Sequence, residues 1–211
     1  SGHLYLPESI LQNEFLELFG ENIFDFTSLL IEMQMEKRIV VKKSTENNVY
    51  LTQSYYTEAA VAKMLVDINI KEKYDSNKVE EKILAIEKKE GIVLDDLQRQ
   101  AVIESISSGL IIITGGPGTG KTTTINTIIK YFESEGESIS LAAPTGRAAK
   151  RMSEATSYEA KTIHRLLEIT PNSNENSTSI GTHFERNEDN PLEADVLIID
   201  EVSMVNIFLM N

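Results

Sequence analysis

An apolar run that breaks into glycines and ends in lysine and threonine constrains this chain more than any other stretch: "LIIITGGPGTGKTTT", residues 110–124. Gly115, Gly120, Lys121 and Thr122 satisfy the pattern GxxxxGK[ST] between a predicted strand and a predicted helix, which is the context that a phosphate-binding loop requires. Closely spaced glycines let backbone N–H groups converge on an anion, and the helix that follows adds its positive end. The stretch therefore predicts a site for a nucleotide's phosphates.

Each residue type in this loop has a chemical role in the predicted site. Lys121 can reach the β- and γ-phosphates, and the Thr122 hydroxyl is placed to ligate Mg²⁺. The residues expected to hold the nucleotide are Gly115, Gly116, Pro117, Gly118, Thr119, Gly120, Lys121, Thr122 and Thr123. The alternative is a glycine-rich turn with an incidental lysine, and a second motif argues against it.

That second motif is "DVLIIDE", residues 195–201, which ends an apolar run with two acids. Burying adjacent carboxylates costs on the order of several kcal/mol unless a cation or a donor meets them. Asp200 fits a residue that ligates Mg²⁺ directly or from the outer coordination sphere, and Glu201 fits the residue that polarises the attacking water. Solvated acids, or acids that cap the next helix, are the alternative.

Three short apolar runs rich in β-branched residues alternate with helical patterns in this half of the chain. The runs are 110–114, 138–143 and 195–200, and the helical stretches are 121–136, 145–155 and 161–169. The runs are too short for globular helices, so they predict buried parallel strands of an α/β sheet. The polar stretch from Pro171 to Pro191 predicts a mobile surface excursion.

The N-terminal part has a different pattern, with helices around one β-hairpin. "FTSLLIEMQMEK" predicts an amphipathic helix, "RIVVKKSTENNVYLTQ" a hairpin, "YYTEAAVAKMLVDI" a second helix, and a charged helix ends at Gly91. This is the outline of a winged-helix module, so we expect domains at 1–90 and 91–211. The hairpin is either simply solvated or a DNA or partner contact through Lys37, Arg38, Lys42 and Lys43.

Composition limits the partners. The formal net charge is −13 at pH 7, so any contact with nucleic acid must be local. There is no cysteine, no apolar run approaches the ~20 residues that span a bilayer, and no secretion signal begins the chain. We expect a cytoplasmic protein that makes no membrane contact.

Four stretches together resemble RecD-like DNA helicases of superfamily 1: "LDDLQRQAV", "GGPGTGKTT", "APTGRAAKRM" followed by "KTIHRLL", and "NPLEADVLIIDEVSMV". The resemblance implies ATP and Mg²⁺ as cofactors, with Gln98 on the adenine edge. It implies a single-stranded DNA path, for which the candidate residues are Pro144, Thr145, Gly146, Arg147, Thr162 and His164. His164 is equally compatible with a half-buried packing role.

The fold class expected is α/β: a partial RecA-like P-loop NTPase domain with parallel strands, preceded by a mainly helical, winged-helix-like N-terminal domain. Asn206 stands where this family commonly has an aspartate, and the sequence stops at Asn211, just after the second acidic motif. We therefore expect a fragment whose partner is a second RecA-like domain of the same protein, with nucleotide binding and negligible unwinding. The alternatives are a P-loop kinase or regulatory NTPase, and a non-catalytic DNA- or partner-docking module.

Overall fold

The computed structural model describes residues 3–20, 25–116, 118–170 and 183–211. They fall into two compact units: residues 1–67 with 206–211, and residues 68–205. Each unit has its own hydrophobic cluster. The candidate site residues all belong to the second unit.

The first unit is built on a three-stranded antiparallel sheet with helices packed against it. Its elements are β1 (Tyr5–Pro7), α1 (Glu8–Phe19), α2 (Phe26–Met35), β2 (Ile39–Lys42), β3 (Asn48–Leu51) and α3 (Thr52–Ile68). The strand order is β1-β3-β2. Phe26 and Leu30 of α2 are buried against Ile39 and Val49 of the hairpin, which confirms the amphipathic helix and the hairpin. Strand β1 was not predicted.

The second unit alternates helices and strands around a parallel sheet. Its elements are α4 (Ser76–Glu90), α5 (Asp96–Ser107), α6 (Lys121–Glu135), β4 (Ile139–Ala143), α7 (Gly146–Thr156), β5 (Ala160–Thr162), α8 (Ile163–Leu166), β6 (Ile169–Thr170), β7 (His183–Phe184) and β8 (Val196–Ile199). Strands β5-β4-β8 lie side by side and run parallel, whereas β6 and β7 form a separate antiparallel pair. The predicted α/β class is confirmed. A 3-10 turn (Val202–Met204) follows β8, and the short helix α9 (Ile207–Met210) after it is grouped with the first unit.

Helix α4 packs within the second unit, although we predicted it in the N-terminal domain. Its Val79 and Ile83 are buried in one cluster with Val102 of α5 and Ile128 of α6. The compact units therefore divide after Asp67 rather than near residue 90. The helix itself ends as expected, because Gly91 adopts the left-handed conformation (φ 66°) that favours glycine. As a division into folding domains, 1–90 and 91–211 stays a prediction.

The predicted buried strand at residues 110–114 is wrong. Among the described residues nothing pairs with this segment as a strand, and Ile112 is 73% exposed. A strand is stabilised by ladder hydrogen bonds to a neighbour, and the described parallel sheet consists of β5, β4 and β8, none of which forms a ladder with the segment. Its apolar residues alone do not make it a strand.

The predicted helix over residues 161–169 is also wrong for most of its length. Ala160–Thr162 pairs with β4 as the edge strand β5, and only Ile163–Leu166 is helical. Pairing with the exposed edge of β4 outweighs the helical propensity of this sequence. Most of the predicted mobile excursion from Pro171 to Pro191 falls on residues 171–182, outside the described part of the chain.

Among the helices that the structure describes, none is both long and apolar enough to cross a lipid bilayer.

Candidate nucleotide-binding site

The glycine-rich loop leads directly into helix α6, which begins at Lys121. Gly118 (φ 79°) and Gly120 (φ 76°) adopt the left-handed conformation, and the Thr119 hydroxyl donates to the Gly116 carbonyl at 2.9 Å. A Cβ atom placed on Gly118 would meet nothing within 4 Å, so the loop backbone is open on that side. This is the arrangement in which backbone N–H groups hold an anion. Pro117 lies outside the described residues.

The residues after the loop divide into exposed and packed groups. Lys121 and Thr122 are exposed in the first turn of α6, and Lys121 takes part in none of the ion pairs found in the described residues. Thr123 is half-buried, whereas Thr124 is buried and its hydroxyl donates to the Gly120 carbonyl at 3.2 Å. The ammonium of Lys121 and the hydroxyl of Thr122 are therefore accessible to a ligand.

The acidic pair lies at the carboxyl end of β8. The Asp200 N–H donates to the Ala142 carbonyl at 3.0 Å, which continues the parallel ladder with β4. Ile198 in β8 packs against the same hydrophobic cluster as Ile113, and these residues precede Asp200 and Gly115 by two positions. One cluster thus supports both the entry to the phosphate loop and the strand that carries the acids.

Glu201 has an unusual backbone conformation for a residue that is not glycine. Its φ of 52° and ψ of 38° lie in the left-handed region, and its N–H donates to Asp200 Oδ1 at 2.9 Å. Such conformations are rare and are concentrated at functional sites. The turn leaves Glu201 exposed while Asp200 is half-buried, so the two carboxylates differ in environment.

The oxygen groups present fit a Mg²⁺ ion bound together with a nucleotide. In the part of the chain that the structure describes, no three His, Cys, Asp or Glu side chains converge on a metal position. Mg²⁺ at a nucleotide needs only one or two protein oxygens, because phosphates and waters complete its octahedron. The Thr122 hydroxyl and the Asp200 carboxylate are the two oxygen groups predicted for this role, and their binding of Mg²⁺ stays a prediction.

Gln98 contacts the phosphate loop directly. Its Oε1 accepts from the Asp95 N–H at 3.0 Å, its own N–H donates to Asp95 Oδ1 at 2.9 Å, and its Nε2 donates to the Thr119 carbonyl at 3.4 Å. A Cβ atom on Gly120 would overlap the Gln98 amide nitrogen. The predicted adenine contact of Gln98 is untested, but the side chain lies against the loop that it was expected to serve.

Two of the candidate DNA residues cap neighbouring helices at the same sheet edge. Thr145 Oγ1 accepts from the Ala148 N–H and Thr162 Oγ1 from the Arg165 N–H, each at 3.2 Å. Ala143 is paired with Thr162 across β4 and β5, so the two caps lie at adjacent strand ends. Neither hydroxyl donates a hydrogen bond among the described residues, and a hydroxyl that accepts one bond can still donate its own proton.

The other candidate DNA residues lie around these caps. Pro144 is half-buried, and Gly146 and Arg147 are exposed at the start of α7. His164 is half-buried, and its ring lies 6.2 Å from that of Phe184. The packing role that we considered for His164 is compatible with this contact, and its DNA role stays a prediction.

A charged cluster between α4 and α5, next to Gln98, was not predicted from the sequence. The Glu87 carboxylate in α4 accepts from the Leu94 N–H and from Arg99, and Arg99 also donates to Glu80. Burial raises the pKa of Glu87, but the hydrogen bonds from Leu94 and Arg99 outweigh it and the pKa is lowered. No spacing rule predicts such a pairing, because it depends on how α4 and α5 pack.

Parallel strands, a phosphate loop that opens a helix and two acids at a strand end define a partial RecA-like P-loop NTPase domain. A family model described as an AAA domain matches residues 98–211. This chain therefore belongs to the AAA domain family, and its resemblance to RecD-like helicases is confirmed.

The similar proteins include ATP-dependent DNA helicases and RecD subunits of the RecBCD enzyme. The chain is 39% identical over 126 residues to the ATP-dependent RecD2 DNA helicase of Deinococcus radiodurans, covering 60% of this chain and 16% of that protein. It is 36% identical over 138 residues to the RecBCD enzyme subunit RecD of Mycobacterium tuberculosis, covering 54% and 22%. It is 44% identical over 96 residues to the ATP-dependent DNA helicase dda of phage T4, covering 44% and 21%. The matches thus span less than a quarter of the length of these relatives.

Proposed function

We propose that this chain is the nucleotide-binding part of an ATP-dependent DNA helicase. One observation carries the proposal: the phosphate loop at the start of α6 and the acid-bearing strand β8 are supported by the same hydrophobic cluster through Ile113 and Ile198. The relatives named as ATP-dependent DNA helicases support the choice of ATP and DNA over other P-loop chemistries. In the intact protein, hydrolysis would drive movement along a single strand, together with a second RecA-like domain.

The residues have distinct roles in this proposal. The loop amides and Lys121 hold the phosphates, Thr122 and Asp200 supply oxygen ligands for Mg²⁺, and Gln98 contacts the adenine edge. Bound Mg²⁺ would neutralise the charge of the phosphate oxygens. Glu201, exposed on its left-handed turn, orients and polarises the attacking water.

The DNA path in this proposal runs along the carboxyl ends of β4 and β5. Thr145 and Thr162 offer hydroxyl donors there, and the N-terminal amides of α7 are well suited to hold phosphate oxygens. Arg147 adds a positive charge in a chain whose net charge is −13. The contact is therefore local and sequence-independent, and a cytoplasmic location is part of the same proposal.

The nucleotide proposal is tested by titrating the 211-residue chain with a fluorescent, non-hydrolysable Mg·ATP analogue, with and without a single-stranded oligonucleotide. We expect saturable binding that unlabelled ATP competes away and that EDTA weakens. Binding that inorganic phosphate abolishes at equal concentration would contradict a nucleotide site. Phosphorylation of a small acceptor would favour the kinase alternative.

Replacing Arg147 with alanine is expected to weaken binding of single-stranded DNA and to reduce the slope of log K against log[salt] by about 1, because one phosphate contact is lost. The measurement is fluorescence anisotropy of a labelled oligonucleotide over a series of salt concentrations. The matched control replaces Lys42 and Lys43 of the hairpin with alanine. A larger effect of the hairpin variant would place the DNA contact in the first unit.

A further inference from the structure

Glu87 is a buried acid for which the proposed function has no role. It is 7% exposed, and both of its carboxylate oxygens are engaged: Oε1 accepts from the Leu94 N–H and Oε2 from Arg99 Nη2, each at 2.7 Å. Its backbone carbonyl also accepts from the Ile92 N–H at 3.0 Å. Glu87 thus bonds the connection between the helices at Ile92 and Leu94, and α5 itself at Arg99.

Arg99 extends this anchor to a second acid. Its Nη1 donates to Glu80 Oε1 at 2.6 Å, so the guanidinium bridges two acids that lie two turns apart on α4. A guanidinium bound through both terminal nitrogens is fixed in orientation as well as in position. The start of α5 is therefore fixed against α4 at two places: Leu94, which precedes the N-cap residue Asp95, and Arg99 in the helix.

Gln98 lies between these two anchor points. It precedes Arg99 in α5, its amide closes the capping box with Asp95, and its Nε2 reaches the Thr119 carbonyl of the phosphate loop. A continuous series of hydrogen bonds thus leads from Glu87 through the first turn of α5 to the loop. Any rotation of α5 would move the Gln98 amide away from Thr119.

Stability alone does not account for a charged group here. A buried ion pair is often no more stabilising than an apolar pair of the same volume, because desolvating the charges offsets their attraction. The ion pair also fixes the orientation of α5 relative to α4, which an apolar contact does not. The group at this place that needs a fixed orientation is the side chain of Gln98.

We propose that Glu87 and Arg99 are positioning residues for Gln98 and thereby determine how strongly the site prefers an adenine nucleotide over its phosphate chain alone. The inference rests on the proposed function and deepens it, because it makes recognition of the base depend on the contacts that hold α5 against α4. Glu87 itself touches no ligand in this scheme. Its effect reaches the nucleotide only through Gln98.

The test compares the affinity for a non-hydrolysable Mg·ATP analogue with that for Mg·tripolyphosphate, which has no base. We expect Glu87→Gln to weaken ATP-analogue binding about three- to tenfold, the value of one hydrogen bond, and to change tripolyphosphate binding less than about twofold. Gln98→Ala should have the same selective effect, and the double variant should bind like Gln98→Ala alone. Glu81→Gln, at an exposed position of α4, is the matched control and should bind as wild type.

Equal losses for both ligands, or additive losses in the double variant, would show that Glu87 only stabilises the fold and would overturn the inference. If Glu87→Gln does not fold, Arg99→Lys takes its place, since it keeps the charge but loses the bridge to both acids. A wild-type chain that binds neither ligand overturns the proposed function and the inference with it. If the wild type binds the ATP analogue and Glu87→Gln prefers it over tripolyphosphate to the same degree, the inference alone is overturned.

Discussion

Replacing Lys121 with alanine is expected to weaken binding of a Mg·ATP analogue to this chain by roughly 10- to 150-fold. The ammonium is exposed at the start of α6 and would donate charge-assisted hydrogen bonds to the phosphates, each worth about 1.5–3 kcal/mol. The fold should be unaffected, because the side chain of Lys121 forms no ion pair with the residues that the structure describes. Isothermal titration and a thermal melt on the same sample measure the two effects separately.

The matched control for this prediction is Lys63→Ala. Lys63 is also an exposed lysine on a helix, but it lies in α3 of the first unit, and its removal changes the net charge by the same amount. The control should bind the analogue as wild type does. If both variants lose affinity equally, a general charge effect explains the loss, and the phosphate-loop assignment of Lys121 fails.

Much of the fold was predictable where the local pattern and the tertiary environment agree. The runs at 138–143 and 195–200 contain β4 and β8, which are parallel strands of one sheet as their apolar, β-branched composition indicated. Gly91 ends α4 in the left-handed conformation that its position after the charged helix predicted. In such segments a few neighbouring residues decide the structure, so the sequence suffices.

The predictions were less successful for segments whose structure depends on which other segment lies beside them. Residues 110–114 have the composition of a buried strand, but a strand also needs a neighbouring backbone, which composition does not report. Residues 161 and 162 were predicted as the start of a helix, yet they pair with β4 as part of the edge strand β5. Helix α4 ends at Gly91 as predicted and packs with α5 and α6; a helical pattern shows that a face is buried and not what covers it, so the domain division near residue 90 stays a prediction.

The candidate site also has features that could be predicted from the sequence and features that could not. The loop, Lys121 and the two acids follow from residue types at fixed spacing, because their chemistry requires that spacing. The pairing of Thr145 and Thr162 as neighbouring helix caps depends on β5, which the sequence reading missed. The Glu87–Arg99 contact joins two helices across the turn at residues 91–95, and only their packing reveals it.

The largest effect on stability is expected from Gly109→Ala, which should lower the free energy of unfolding of the second unit by about 2–4 kcal/mol. A Cβ atom at this position would overlap the backbone carbonyl oxygen of Ile68. Backbone hydrogen bonds hold the two segments together: the Gly109 N–H donates to Ile70 O at 2.8 Å and the Glu72 N–H to Ser107 O at 2.9 Å. The overlapped atom is not at the end of a flexible side chain, so relief requires breaking these bonds.

Urea unfolding measures this loss. The midpoint concentration of urea should fall, while the slope of the unfolding free energy against urea concentration stays unchanged. Gly146→Ala is the matched control, because a Cβ atom there meets nothing within 4 Å and alanine favours the first turn of α7. Residues 110–114 run from Gly109 directly into the phosphate loop, so the displaced backbone should also weaken binding of the ATP analogue. An unchanged midpoint for Gly109→Ala would mean that residues 68–72 separate from residues 107–109 at little cost. The position of the phosphate loop would then depend on its packing against the helices instead.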